Sequence, residues 1–173
     1  MKILLLLHST TGNTRLVTRY VHKYLSNLGH ECHLHDITAD DPVPEPEVFD
    51  IMGVASPTLY FRGSFTMERV LRELPACGAK RLPVFLLATC AGEPGAQFYT
   101  QAEILNAKGY VTMGAHYVVS PSNWPLQLAI TEKLAFTSPI GRFLKGRVRL
   151  SRLPLSFIWP ALTTPHARDS EEL

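Results

Sequence analysis

Residues 4–14 read LLLLHSTTGNT, and the order of the parts decides the fold. Ile3 to Leu7 is a short apolar run of the length that suits a fully buried strand. It breaks into a hydroxyl-rich turn, His8-Ser9-Thr10-Thr11-Gly12-Asn13-Thr14. Apolar residues then recur at helical spacing: Leu16, Val17, Tyr20, Val21, Tyr24, Leu25 and Leu28. Buried strand, polar loop and amphipathic helix, in that order, form the first half of a β-α-β unit.

The loop's chemistry follows from that order. The first N–H groups of a helix lack intrahelical partners, and the helix dipole favours negative charge beside them. Ser9, Thr10, Thr11 and Thr14 add hydroxyls, and Gly12 lets backbone approach a ligand closely. The loop holds no lysine or arginine. The pattern points to a terminal phosphate held by neutral donors. The alternative is a helix N-cap with spare hydroxyls, since Ser and Thr cap helices routinely. Neither the G-x-G-x-x-G dinucleotide fingerprint nor the G-x-x-x-x-G-K-[ST] triphosphate loop is present.

The pattern repeats along the chain. Gly29 closes the first helix, and Glu31 to Ile37 reads as a second strand with Cys32, Leu34 and Asp36 on one face. His33 and His35 share the other face; a solvated edge strand explains them better than a metal, because no third ligand is evident. The Pro- and acid-rich stretch 39–47 is a loop. Phe49 to Ala55 is a third strand, running into a loop, Ser56-Pro57-Thr58-Leu59-Tyr60-Phe61-Arg62-Gly63. A helix follows through Met67, Val70, Leu71 and Leu74. Pro83 to Ala88 is a fourth, nearly unbroken apolar strand, ending in Thr89-Cys90-Ala91-Gly92-Glu93-Pro94-Gly95. A helix over 96–108 stops at Gly109, and Tyr110 to Val119 is a fifth strand. Strands this apolar must be covered on both faces, so the expected fold is α/β: a doubly wound five-stranded parallel sheet with helices on both faces. Such sheets bind ligands at the carboxyl ends of their strands, where the polar loops fall.

Composition agrees with a globular domain of 173 residues, 46% hydrophobic and 18% charged. Ile3 to Leu7 lacks the cleavage site of a signal peptide, and no apolar run has the length of a membrane-spanning helix. Cys32, Cys77 and Cys90 are few, odd in number and widely spaced, which argues against a disulfide framework and for a cytoplasmic protein. No Ser–His–acid or metal constellation emerges.

The loop Ser9-Thr10-Thr11-Gly12-Asn13-Thr14 resembles the phosphate-binding loop of the flavodoxin family, roughly [ST]-x-T-G-x-T. SPTLYFRG resembles that family's segment over the flavin ring, and TCAGEPGA its loop at the pyrimidine edge. The resemblance covers residues 1–125 and implies FMN as cofactor. It assigns the phosphate to Ser9–Thr14, the ring to the segment from Ser56 and Pro57 through Thr58, Leu59, Tyr60, Phe61, Arg62 and Gly63, and the pyrimidine edge to Thr89, Cys90, Ala91, Gly92 and Gly95. Tyr60 or Phe61 would stack on the ring, although the pair equally suits the core of the next helix. The backbone near Arg62 and Gly63 would lie by the reactive nitrogen, where Gly permits a peptide flip. Cys90 reads better as a small loop-end residue than as a reactive thiol, and Glu93 as a residue before a helix.

Within the family the chain is similar to the flavodoxin-like half of flavodoxin–ferredoxin fusions, which lead from strand five into a P-x-N-[YW]-like run; here Pro121-Ser122-Asn123-Trp124 matches. No cysteine follows Cys90, so iron–sulfur clusters do not carry over. The expected activity is electron transfer with a redox protein partner, a ferredoxin or a reductase. An NAD(P)H-dependent FMN or quinone reductase, and a flavin-free interaction module, are the alternatives. A phospho-acceptor receiver domain fails, because His8-Ser9 and Ala55-Ser56 stand where its acids belong.

Residues 1–130 form the expected FMN-binding domain, and 131–173 a C-terminal helix or arm. Charge is uneven: residues 1–132 carry ten basic and twelve acidic side chains, residues 133–173 seven and three. Arg142, Lys145, Arg147, Arg149 and Arg152 alternate with Phe143, Leu144, Val148, Leu150, Leu153, Leu155, Phe157 and Trp159. Packing with a contact to a second subunit is favoured over docking on an anionic membrane. Nucleic acid is not expected, because the bases come with aliphatics and few polar readers.

Overall fold

The computed structural model describes residues 1–39 and 42–120. In chain order the elements are β1 (Lys2–Leu7), α1 (Asn13–Asn27), β2 (Glu31–Asp36), a short 3-10 turn (Pro46–Val48), β3 (Ile51–Leu59), β4 (Arg62–Gly63), α2 (Phe65–Glu73), β5 (Pro83–Cys90), α3 (Gln97–Ala107) and β6 (Val111–Val119). The sheet order is β2-β1-β3-β5-β6, with β4 paired to β3 alone. β1 runs parallel to β2 and β3, and β3 parallel to β5. The doubly wound α/β sheet expected from the alternating pattern is the one that forms.

The apolar runs are explained by what each face meets. Leu4 and Leu6 join Met52, Val54, Met67, Leu71, Leu86 and Leu105 in the larger core. Leu7 points the other way, to Ala55 and Leu87, and Val17 and Val21 of α1 pack there. A strand clothed on both faces has no solvent side, so the two-residue alternation of a half-exposed strand is lost.

Three expectations need correction. The inner face of α1 is shared by Val17 and Val21, as expected, with the buried Thr14 and Thr18, while Tyr20, Tyr24 and Leu28 are exposed. Thr18 satisfies its hydroxyl by donating to the Thr14 carbonyl at 2.7 Å, which lets a polar residue face inward. β5 extends through Thr89 and Cys90, beyond the apolar run. Ser56–Gly63, expected as a loop, is a hairpin: β3 continues through Leu59 and turns back on β4, pairing Thr58 with Gly63 and Leu59 with Arg62. It continues because Ser56 and Pro57 still pair with Ala88 and Thr89 of β5.

The chain divides into two units, Met1–Thr89 with Glu93–Val118, and Cys90–Gly92 with Val119–Leu173. In the second, the Ser120 N–H donates to the Cys90 carbonyl at 2.9 Å, and the Cys90 side chain is buried. Pro121–Trp124 and the basic stretch from residue 131 lie outside the described residues. Cys32, Cys77 and Cys90 form no disulfide. Among the described residues no helix is long and apolar enough to cross a membrane.

Candidate functional site

The loop between β1 and α1 closes on itself. Ser9 is buried, and its Oγ accepts the Gly12 N–H at 3.1 Å. A hydroxyl that accepts keeps its own O–H to donate. Thr14 is buried as well, its Oγ1 2.8 Å from the Thr89 Oγ1 at the end of β5. That bond ties the start of α1 to the end of β5. Thr10 and Thr11 stand exposed at the tip.

α1 starts without a side-chain cap, as α3 also does. Gly12 occupies the N-cap at φ 103°, in the left-handed region. No side chain caps the helix, and no acidic residue lies in its first turn. Gly12 stands where a capping side chain would, and the Ser9 hydroxyl meets its N–H. What remains is a helix N-terminus, with its partial positive charge, surrounded by hydroxyls.

The nearby charges are already matched. Arg15 donates to Asp36 at 2.8 Å, joining α1 to the end of β2. Burial pushes the Asp36 carboxyl up, but hydrogen bonds from Thr38 and Arg15 outweigh it and hold the carboxyl below its usual range. His8 is 5% exposed, and its Nδ1 has no partner among the described residues. Burial lowers its pKa against the opposing pull of Asp36, so the imidazole is held neutral. The donors here are dipoles and hydroxyls rather than cations, which suits a monoester phosphate bound without lysine.

The hairpin supplies the aromatic part. Tyr60 and Phe61 are its two central residues, at φ 53° and 62°. Positive φ at both is the requirement of a type I′ turn, normally met by Asn-Gly or Asp-Gly. Aromatic side chains there are strained, at roughly 1–2 kcal/mol per residue. They do not enter the core, since Tyr60 is 90% exposed and Phe61 60%. Arg62 donates to the buried carboxylate of Glu68 at 3.1 Å, and Arg72 reaches the same carboxylate. The Arg62 guanidinium also lies over the Phe65 ring, 5.9 Å from its centre. Gly63 has no left-handed φ. Its missing side chain instead makes room for Gln101, because a Cβ there would stand 2.7 Å from the Gln101 amide nitrogen. The sharp backbone thus sits at Tyr60–Phe61 and not at Gly63.

Among the expected residues, hydrogen bonds join Ser9 to Gly12 and Thr14 to Thr89. Ser56 and Thr58 are turned toward α3, where Gln97 and Gln101 engage them. Those two glutamines, both fully buried, are the residues that sequence reasoning missed. Their four-residue spacing on the face that continues to Ile104 and Leu105 is the signal that was available. Ser64, which caps α2 by accepting the Met67 N–H, was missed too.

No family model matches the sequence, and no curated protein matches it. Solved structures do match the fold. A flavodoxin from the domain Archaea is 18% identical, with 84% of this chain and 99% of that one covered at a TM-score of 0.56. Two-electron reduced flavodoxin from Megasphaera elsdenii is 17% identical, over 72% of this chain and 91% of that one, at a TM-score of 0.59. A flavoprotein from Lactobacillus acidophilus, solved in complex with FMN, is 15% identical, over 67% and 92%, at a TM-score of 0.54. At such identities the likeness establishes the fold, which is flavodoxin-like.

Proposed function

We propose that this protein binds FMN and carries electrons between protein partners. The observation behind this reading is the start of α1: four hydroxyl residues surround a helix N-terminus that no side chain caps and no acid neutralises. The residues present fit the group. Ser9, Thr10, Thr11 and Thr14 with the backbone at Gly12 and Asn13 would hold the phosphate. Tyr60 or Phe61, aromatic and solvent-facing, would cover a ring face and exclude water from it. Thr89 and Gly95 are assigned to the pyrimidine edge. When bound, FMN would supply the redox centre, and the protein would tune it through stacking and hydrogen bonds.

The partner in this reading is a separate redox protein, a ferredoxin or a reductase, which agrees with the likeness of Pro121–Trp124 to flavodoxin–ferredoxin fusions. A second subunit is the favoured role for the basic stretch, ahead of an anionic membrane. Thiols outside any disulfide suit a reducing compartment such as the cytoplasm.

The test is a visible absorption spectrum of the purified protein with and without added FMN. Two flavin bands that persist through gel filtration support the reading. Reduction by dithionite but not by NADPH separates a carrier from an NAD(P)H-dependent reductase. Failure to retain FMN from a large excess removes both flavin readings.

A further inference from the structure

We propose that Gln97 and Gln101 are positioning residues, two buried amides on one face of α3 that hold the Tyr60–Phe61 turn in its left-handed conformation and so set the face it offers a bound flavin. The proposal rests on the FMN reading above.

The turn does not hold itself. Neither central residue is Gly, Asn or Asp, and both side chains lie largely in solvent, so local preference and burial both fail to account for it. The constraint comes from α3. Gln97 Nε2 donates to the Ser56 carbonyl at 3.2 Å and to its Oγ at 3.1 Å. Gln101 Nε2 donates to the same Oγ at 3.3 Å. The Thr58 hydroxyl donates to Gln97 Oε1 at 2.6 Å. Directly before Gln97, the Ala96 N–H donates to the Phe61 carbonyl at 2.8 Å. One side of the hairpin and its tip are therefore both fastened to the start of α3.

Two glycines allow the close approach. A Cβ at Gly63 would lie 2.7 Å from Gln101 Nε2 and 3.3 Å from Gln97 Cγ. A Cβ at Gly95 would lie 2.5 Å from the Phe61 carbonyl oxygen. The amides are also a costly way to fill this space. Both glutamines are 0% exposed, and Gln101 Oε1 has no partner among the described residues. At position 101 an apolar side chain would fill the volume without that unmet buried acceptor. Residues that retain such a cost beside a strained turn are expected where the turn has a task.

The test compares wild type with Gln97→Met, Gln101→Met and Thr58→Val, the last removing a contact without altering α3. Backbone NMR of the flavin-free protein reads the φ of Tyr60 and Phe61 directly. FMN titration and the midpoint potential of the loaded protein read the consequence. In Gln97→Met the turn should leave the left-handed region or exchange between conformers. The dissociation constant should rise about tenfold, a change of about 1.4 kcal/mol. The potential should shift, and the melting temperature should fall, because the Ser56 carbonyl and the Thr58 hydroxyl lose their partner. A folded Gln97→Met with wild-type φ values, affinity and potential overturns the proposal. Should Gln97→Met fail to fold, Thr58→Val and Gln101→Met decide it by the same readings. If wild type takes up no FMN, the flavin reading falls on its own, and the NMR measurement still decides whether the glutamines hold the turn.

Discussion

α1 and α2 begin in opposite ways within one domain. At α2, Ser64 is buried, its Oγ accepts the Met67 N–H at 3.3 Å, and Glu68 brings a carboxylate to the first turn. Donors and dipole are both satisfied from within the chain. At α1, Gly12 holds the N-cap position, no side chain caps, and the first turn has no acid. A side-chain cap is worth about 1 kcal/mol over Ala but only a few tenths over Gly, so Gly12 starts α1 at little cost, and α3 too begins without a side-chain cap. One helix start is closed by a hydroxyl and a carboxylate of its own, and the other is the start to which the proposed phosphate is assigned.

The comparison breaks most sharply if α1 is given what α2 already has. Asn13→Asp puts a carboxylate in the first turn, which should stabilise the flavin-free protein by about 0.5 kcal/mol. It should weaken FMN binding by roughly one to two orders of magnitude through repulsion of the phosphate at close range. Thermal melts and a fluorescence titration check the two signs. Equal FMN affinity in the variant would remove the phosphate from this loop.

The hairpin extends the contrast between stability and task. Replacing Tyr60 by Asn together with Phe61 by Gly supplies the residues a type I′ turn prefers, and should stabilise the fold by about 2 kcal/mol. The same change should cost about tenfold in FMN affinity through lost stacking. A stabilised protein with undiminished affinity would take both aromatics out of the site.

Ser64→Ala is the control at α2. It should cost about 1 kcal/mol of stability and leave FMN affinity unchanged. Urea denaturation with and without FMN distinguishes this from an effect on the site.

The smallest expected effect is a pH dependence at His8. Burial depresses its pKa below the ordinary 6.5, so below that pH the unfolded chain binds the proton more readily than the folded one. Stability is therefore full above 6.5 and declines as the pH falls toward the folded value. Melting temperatures between pH 7.5 and 5.5 should show that slope, and His8→Asn should flatten it.

The fold was legible wherever a pattern was local. The run from Ile3 to Leu7, the stop at Gly29 (φ 83°) and the stop at Gly109 (φ 87°) each carry their reason in neighbouring residues. The turn at Tyr60–Phe61 was not legible, because its residues argue against the conformation they adopt. Tyr20 and Tyr24 misled for a related cause. Helical spacing gives the period of an apolar stripe, but neighbouring elements decide how wide a stripe turns inward, and here Thr14 and Thr18 join Val17 and Val21 on the inner face.

By itself, the sequence determined the alternation of strand and helix, the two-faced burial of the strands, and a hydroxyl loop free of lysine and arginine at the end of the first strand. These depend on residue type and spacing along one short stretch at a time. Only the tertiary structure decided that α1 goes uncapped, that Thr14 meets Thr89 across 75 residues, and that Gln97 reaches back 41 residues to Ser56. Each of those depends on which hydrogen-bond partner is nearest in space. A side chain's list of donors and acceptors says what it can bond, and the packed sheet says to what.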